Sequence, residues 1–135
     1  MLFSKKELNF EVPKVMGIIN LTPDSFSDGG KFICPKTLKT DRSKVLKEIE
    51  KMENQGAAFI DIGAESTRPN AFQISAAEEL DRLMPILDDI KNINAVVSID
   101  SSKGEVISEA IKNGVDFIND INSLKDKKAL KLVKD

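Results

Sequence analysis

Residues 45–63 have the sequence VLKEIEKMENQGAAFIDIG, and the change of period inside this stretch decides the fold. Apolar side chains recur at helical spacing from Val45 to Met52, and Gly56 is placed to end that helix. The run from Ala57 to Gly63 is mostly apolar without alternation, which is typical of a strand that is covered on both faces. A helix leading into such a strand predicts part of a βαβ unit.

The same pattern recurs along the whole chain. Four apolar runs predict strands, at residues 15–20, 57–63, 95–100 and 115–120. Helices are predicted at about residues 41–54, after the capping signals Ser75-Ala-Ala-Glu78 and Ser102-Lys-Gly-Glu105, and from near Asp126. Pro85 lies inside the second helix and is expected to kink it. This order indicates an α/β fold with a parallel sheet, either a small open doubly wound sheet or part of a (β/α)₈ barrel.

The composition restricts the partners and the chemistry. The 135 residues carry a net charge of -2, with 41% apolar residues, one cysteine and no histidine. This charge balance argues against nucleic acid and anionic membranes as partners. Without histidine, a Ser-His-Asp triad or a histidine zinc site is impossible within these residues. Cys34 cannot form an internal disulfide and the N-terminus lacks the apolar run of a signal peptide, so a cytoplasmic location is expected.

A polar side chain follows each predicted strand, where the ligands of parallel α/β folds bind. These side chains are Asn20, then Asp61 with Glu65, then Asp100, then Asn119 with Asp120. Turn chemistry explains any one of them, but four in succession favour a ring of donors and acceptors around one binding mouth. Asp61 either lines the barrel interior beside the site or satisfies a buried partner.

Two connections are candidates for ligand-binding loops. The segment from Asn20 to about Thr40 is longer than an ordinary connection and contains the aromatic Phe26, which fits a mobile lid or a structural Ω-loop. The second connection carries Thr67 and Arg68 just beyond a strand end. An arginine there can bind a phosphate or carboxylate in bidentate fashion, or it can simply pair with Glu65 at the surface.

Four segments of these loops and strands carry a family resemblance. VMGIINLTPDSFSDGG at 15–30 and GAAFIDIGAESTRPN at 56–70 resemble the two signature segments of the dihydropteroate synthases, a family of pterin-binding enzymes. VSIDSSKGEV at 97–106 and FINDINSL at 117–124 resemble that family's third and fourth strand ends, in the same order. The resemblance extends over about residues 13–135.

The resemblance implies a (β/α)₈ TIM barrel that joins 6-hydroxymethyl-7,8-dihydropterin diphosphate to p-aminobenzoate and releases diphosphate with Mg²⁺. It also implies a homodimer for the full-length family member. Because such a barrel typically takes about 250 residues, residues 1–135 are expected to form its N-terminal half, with roughly the first four β/α units, and to be inactive alone. The alternatives are half of a pterin-dependent methyltransferase, or a non-catalytic half-barrel that serves as a binding or assembly module.

The resemblance also implies roles for individual residues. Asn20 would help to hold Mg²⁺ and the diphosphate, and Thr67 would contact the substrate near its diphosphate. Asp100 and Asn119 would bind the pterin ring through hydrogen bonds. Asp100 would also be catalytic, because its charge can stabilise the methylene carbon as it becomes cationic. Five further residues would enclose p-aminobenzoate: Ser25, Phe26, Asp28, Arg68 and Pro69.

Overall fold

A computed structural model describes residues 2–3, 6–23, 30–66 and 71–134 of the chain. The strands are β1 (Leu2–Phe3), β2 (Lys6–Glu7), β3 (Val15–Asn20), β4 (Ala57–Gly63), β5 (Val96–Asp100) and β6 (Phe117–Asn119). The helices are α1 (Arg42–Asn54), α2 (Ala76–Leu87), α3 (Gly104–Lys112) and α4 (Lys127–Lys134), with one 3₁₀ turn at Ile90–Asn92. No helix within the described ranges is long and apolar enough to cross a membrane.

The four longer strands form one parallel sheet in the order β3-β4-β5-β6. Strand order therefore follows chain order, and the predicted βαβ pattern is confirmed. The remaining two strands, β1 and β2, form a separate antiparallel pair. This pair could not be predicted from the sequence, because strands of two residues are too short to produce a periodic signal.

One face of the parallel sheet packs against the helices and forms the core. Strand residues such as Ile19, Ile62 and Ile99 lie in one buried cluster with helix residues such as Ile49 and Leu83. A doubly wound sheet would have helices on both faces, whereas a barrel has them only on its outer face. This packing therefore fits part of a barrel.

The opposite face of the sheet, which we call the inner face, is uncovered at its two edge strands within the described residues, whereas Asp61, Val96 and Ser98 on the central strands are buried. Met16, Ile18 and Phe117 are 40%, 56% and 43% exposed, although each lies on a strand of the sheet. Phe10, which precedes β3, covers part of this face with its ring centroid 6.2 Å from that of Phe59. The inner face of a complete barrel is a packed core, so these apolar side chains lie where further strands would bury them.

Two strand boundaries differ from the prediction. β5 begins one residue later than predicted, and β6 covers only Phe117–Asn119 of the predicted 115–120. Just before β6, the Oδ2 of Asp116 accepts the N–H of Val97 at 3.0 Å. Because a side chain takes the hydrogen bond of the neighbouring strand there, the regular ladder begins only at Phe117.

Three of the four predicted helix starts are confirmed, and the first is that of α1, whose N-cap is Asp41. Ser75 and Glu78 form a complete capping box before α2, and Asp126 accepts the N–H groups of Lys128 and Ala129 at the start of α4. The helix predicted after Ser102 is found, but the predicted cap is wrong, because α3 starts at Gly104 without a side-chain cap. There the Oγ of Ser101 accepts the N–H of Lys103 at 3.2 Å instead.

Helix α2 continues through Pro85 to Leu87, and the kink stays a prediction.

The two serines provide a matched test of these helix starts. We expect Ser75→Ala to lower the free energy of unfolding by about 1 kcal/mol, because it removes the acceptor for the N–H of Glu78. Ser102→Ala should change it by less than about 0.5 kcal/mol, since Ser102 has no hydrogen bond to another described residue. Urea denaturation of the two variants measures the difference. Equal losses of unfolding free energy in the two variants would contradict the conclusion that Ser75 caps its helix and Ser102 does not.

Candidate active site at the carboxyl ends of the strands

Four residues lie at one register level across the carboxyl end of the sheet. Asn20 pairs with Gly63, Gly63 with Asp100, and Asp100 with Asn119. Residues at one level of a parallel sheet project from the same face, which here is the inner face. The predicted grouping of Asn20, Asp100 and Asn119 is therefore found in the structure, and we call these four residues the strand-end row.

Gly63 is the member of the row without a side chain. A Cβ atom built there would lie 3.5 Å from both the Cβ and the Oδ2 of Asp100. Glycine therefore leaves the flank of the Asp100 carboxylate open between two strands. The missing side chain lets a ligand approach the backbone at this point of the row.

Asp61 lies one layer below the row, and the sequence analysis left its role open. It is buried on the inner face, and its Oδ2 accepts a hydrogen bond from the Nδ2 of Asn119 at 3.0 Å. A carboxylate only accepts hydrogen bonds, so this contact fixes the Asn119 amide with its Oδ1 available as an acceptor. Of the two alternatives, the position in the interior beside the candidate site is the one found, because the partner of Asp61 is the exposed Asn119 and not a buried residue. Its signal in the sequence was its spacing of two residues from Gly63, which places it on the inner face.

Two buried oxygen atoms below the row have no hydrogen-bond partner in the described part of the chain. They are the Oδ1 of Asp61 and the Oγ of Ser98. These two residues are register partners on β4 and β5. Buried polar atoms are normally paired, so water or ligand donors are the expected partners at this point.

Asp100 has a perturbed acidity. Burial, followed by the negative charges of Asp61, Glu79, Asp120 and Glu65, raises the pKa of Asp100 from 3.8 to about 6. The carboxyl is therefore mostly ionised at neutral pH, in surroundings that disfavour its charge. A ligand that donates hydrogen bonds or carries positive charge would relieve this cost.

The raised pKa predicts how stability depends on pH. Because the folded chain binds the Asp100 proton more tightly than the unfolded chain, this group lowers stability as the pH rises from about 4 to about 6. We expect Asp100→Asn to stabilise the chain at about pH 7.5 by on the order of 1 kcal/mol, discounted because the group is partly solvated. The gain should vanish below about pH 4. Urea denaturation across this pH range measures it.

Asp81→Asn is the matched control, since Asp81 is exposed on α2. It should shift the free energy of unfolding by less than about 0.5 kcal/mol at every pH. If Asp100→Asn raised the free energy of unfolding by the same amount at both ends of the pH range, the raised pKa of Asp100 would be contradicted.

A second group of charges lies beside the row and was not predicted. The Nζ of Lys103 contacts the Oε2 of Glu65 at 2.6 Å and the Oε2 of Glu79 at 2.7 Å. The Glu79 side chain is fully buried. Burial alone would lower the pKa of Lys103, but the hydrogen bonds that its ammonium donates to both carboxylates, together with their negative charge, raise the pKa above 10.5, so the ammonium stays charged. We call these three residues the Lys103 cluster.

Other predicted members of the ring have different roles. Asp120 accepts the N–H of Asn122 at 2.7 Å and that of Leu124 at 2.8 Å, so ordinary turn chemistry explains it. Glu65 turns toward Lys103 instead of joining the row. The described residues contain no group of three or more Asp, Glu, Cys or His side chains that could hold a metal ion.

Six predicted contact residues lie outside the described residues, so their roles stay predictions. They are Ser25, Phe26 and Asp28 in the first loop, and Thr67, Arg68 and Pro69 in the second.

Comparison with known proteins identifies the family. A family model for pterin-binding enzymes matches residues 16–135. The chain is 46% identical over 128 residues to a dihydropteroate synthase of Haemophilus influenzae. The aligned residues cover 94% of this chain and 44% of that protein. It therefore spans less than half the length of this relative.

Two solved structures have the same fold over nearly the whole chain. Dihydropteroate synthase of Burkholderia cenocepacia, complexed with 7,8-dihydropteroate, matches with a TM-score of 0.78 and 37% identity over 97% of this chain and 41% of that one. Dihydropteroate synthase of Xanthomonas albilineans with 4-aminobenzoic acid matches with a TM-score of 0.80 and 36% identity. That match covers 97% of this chain and 46% of the other chain. These matches confirm the predicted partial TIM barrel and the resemblance to dihydropteroate synthases. The chain thus belongs to the family of pterin-binding enzymes.

Proposed function

We propose that these residues form the pterin-binding part of a dihydropteroate synthase. That enzyme would condense 6-hydroxymethyl-7,8-dihydropterin diphosphate with p-aminobenzoate, giving 7,8-dihydropteroate and diphosphate. The observation that carries the proposal is the strand-end row, in which Asn20, Asp100 and Asn119 occupy one register level. The relative from Burkholderia cenocepacia has 7,8-dihydropteroate bound, which supports the choice of ligand.

The chemistry of the row suits a pterin. The edge of a pterin ring presents a guanidine-like array of donors and acceptors, which a carboxylate and a primary amide can match without changing protonation. Asp100 supplies acceptors, and Asn119 supplies an acceptor oxygen that its contact with Asp61 keeps in place. Because Gly63 has no side chain, the ring could approach the backbone beside Asp100.

Asp100 would also act on the reacting atoms. As the bond between the pterin methylene carbon and the diphosphate oxygen breaks, positive charge develops on the carbon and the ring. A fixed carboxylate directed at this charge lowers the energy of the transition state. The amine nitrogen of p-aminobenzoate then forms the new bond to carbon, while the diphosphate keeps the electrons of the broken C–O bond. The proton that the nitrogen loses can pass to the released diphosphate or to water, so the attack needs no histidine base.

We infer that Mg²⁺ would be bound mainly through the diphosphate of the substrate. Protein sites for this ion commonly supply one or two oxygen ligands, with phosphate oxygens and water completing the shell. The amide of Asn20 suits this role, because it lies at the end of the row and makes no side-chain hydrogen bond to another described residue. When bound, the ion would neutralise charge on the diphosphate.

The proposal can be tested with a chimera in which residues 1–135 replace the matching part of the Haemophilus influenzae enzyme. We expect this chimera to form 7,8-dihydropteroate and the 135-residue chain alone to form none. In the chimera, Asp100→Asn should lower kcat/KM by about 100-fold or more, because it removes a charge aimed at the reacting carbon. Asp81→Asn should leave it within about twofold.

A folded chimera that makes no product, or an Asp100→Asn chimera with undiminished activity, would contradict the proposal. If the chimera used a methylated folate as its substrate, and neither p-aminobenzoate nor the dihydropterin diphosphate, a pterin-dependent methyltransferase would be favoured instead. The homodimer and the cytoplasmic location remain predictions.

A further inference from the structure

The contact between Asp61 and Asn119 joins two strands that are not neighbours. Asp61 lies on β4 and Asn119 on β6, and β5 runs between them. On β5, Ser98 is the register partner of Asp61, and Asp100 is that of Asn119. The contact of 3.0 Å between Nδ2 and Oδ2 therefore crosses the inner face of β5 between these two levels. It fixes a side chain of the strand-end row from the layer below.

The chemistry of this contact allows one orientation of the Asn119 amide. An ionised carboxylate has no proton to donate, so the amide must present its Nδ2 to Asp61. The Oδ1 of Asn119 is then directed away from Asp61 as an acceptor. Without Asp61, a half-turn about the Cβ–Cγ bond of Asn119 would place a donor where this acceptor lies.

Stability does not explain the burial of Asp61. The residue is 5% exposed, and its Oδ1 has no hydrogen-bond partner in the described part of the chain. A buried carboxylate with one hydrogen bond from a neutral amide costs more free energy than this bond returns. Residues that break the rules of a stable core in this way are typical of functional sites. The contribution of Asp61 is therefore sought in what it does to Asn119.

We propose that Asp61 sets the preference of the site for the reduced form of the pterin ring, because it fixes the acceptor oxygen of Asn119. This inference rests on the proposed function, in which Asp100 and Asn119 bind the pterin. A 7,8-dihydropterin differs from the fully oxidised pterin by two hydrogens, one on C7 and one on N8. The N8 atom is therefore a hydrogen-bond donor in the reduced ring and an acceptor in the oxidised ring.

The spacing of the row would bring Asn119 to N8. In the proposed function, Asp100 is directed at the methylene group on C6, and only C7 lies between C6 and N8. Asn119 is next to Asp100 across the ladder, at the strand spacing of about 4.8 Å. A fixed Oδ1 of Asn119 would accept from the N8–H group of the reduced ring and would face the lone pair of N8 in the oxidised ring. Such a site selects by repulsion as well as by attraction.

Three variants separate this role from packing. Asp61→Ala removes the acceptor that holds the amide, so Asn119 can turn to suit either ring. The fold should persist, because the same change removes a buried carboxylate. Asp61→Asn keeps the size of the side chain and one acceptor oxygen, but its own amide can turn, so its effect should be partial. Asp81→Ala, at an exposed position of α2, is the matched control.

The first experiment follows the side-chain amide of Asn119 by NMR in the 135-residue chain. A hydrogen bond to the carboxylate shifts one of the two Nδ2 protons downfield and slows its exchange with water. We expect Asp61→Ala to abolish this shift and to accelerate the exchange by about threefold or more. Asp81→Ala should change neither. Unaltered Asn119 protons in Asp61→Ala would overturn the positioning role.

The second experiment measures equilibrium binding of two probes to the chimera in the absence of oxygen. The probes are 6-hydroxymethyl-7,8-dihydropterin and 6-hydroxymethylpterin, which differ only in the oxidation state of the ring. We expect the chimera to bind the reduced probe at least about tenfold more tightly, and Asp61→Ala to lower this ratio to about threefold or less. Asp61→Asn should give an intermediate ratio, and Asp81→Ala should retain the full one.

An unchanged ratio in Asp61→Ala, or an equal loss of affinity for both probes, would overturn the role in selecting the reduced ring. If the chimera bound neither probe, the proposed function would fail and the preference for the reduced ring with it. The NMR experiment needs no ligand and still decides whether Asp61 positions Asn119. Failure of this inference is therefore distinguishable from failure of the proposed function.

Discussion

Replacing Lys103 with methionine is expected to lower the free energy of unfolding of the chain by about 3–5 kcal/mol. Glu79 is fully buried, and its Oε2 contacts the Lys103 ammonium at 2.7 Å. Without this partner, the carboxylate would remain in a site of low polarity with no compensating charge. Removing one member of a buried pair costs more than the pair itself contributes, because desolvation of the other member is then uncompensated. Urea denaturation of Lys103→Met measures the loss.

Two further variants separate charge pairing from simple packing. In Lys103→Met/Glu79→Leu, apolar side chains replace both members of the contact, and most of the lost stability should return. Lys128→Met removes a solvent-exposed ion pair and should change stability by less than about 0.5 kcal/mol. A double variant no more stable than Lys103→Met would contradict the explanation.

Ile99→Ala should be similarly disruptive, with an expected loss of about 2–5 kcal/mol. Ile99 is fully buried on β5, on the face of the sheet that packs against the helices. Alanine would remove three carbon atoms and leave a cavity that close-packed neighbours fill only in part. Urea denaturation again measures the change.

Ile18→Ala is the matched control on the inner face. Ile18 is exposed in the chain, so its replacement should cost less than about 0.5 kcal/mol there. In the chimera, where further strands would cover the inner face, the same change should cost about 2 kcal/mol or more. A loss in the chain as large as that of Ile99→Ala would contradict the exposure of Ile18 at the edge of the inner face.

The repeating elements of this fold could be predicted from the sequence because each has a local signal. Gly56 follows the stripe of α1, and the box of Ser75 and Glu78 precedes α2, so both elements are specified by neighbouring residues. The capping pattern at Ser102 failed because Ser101 takes the local hydrogen bond and α3 begins only at Gly104. A capping motif of four residues does not show which of two neighbouring serine hydroxyls will accept the backbone N–H.

The site was predictable only where strand ends determine it. Asn20, Asp100 and Asn119 could be grouped because parallel strands bring their carboxyl ends together. The contact of Lys103 with Glu65 and Glu79 could not be predicted from the sequence. It joins residues that are distant along the chain, and their side chains come from three different parts of the fold. Such contacts depend on the packing of α2 and α3, which no period in the sequence describes.

The strand-end row also determines where the chain tolerates insertions and deletions. Its members are aligned by the ladder between strands and not by the connections, so a helix or turn can gain residues while the row stays in place. One residue inserted within β4 would instead turn every later side chain of that strand to the other face. Asp61 would then point into the helical layer and Ile62 into the site. Length variation among homologues should therefore concentrate in segments such as the exposed turn at residues 36–39 and be rare within residues 57–63.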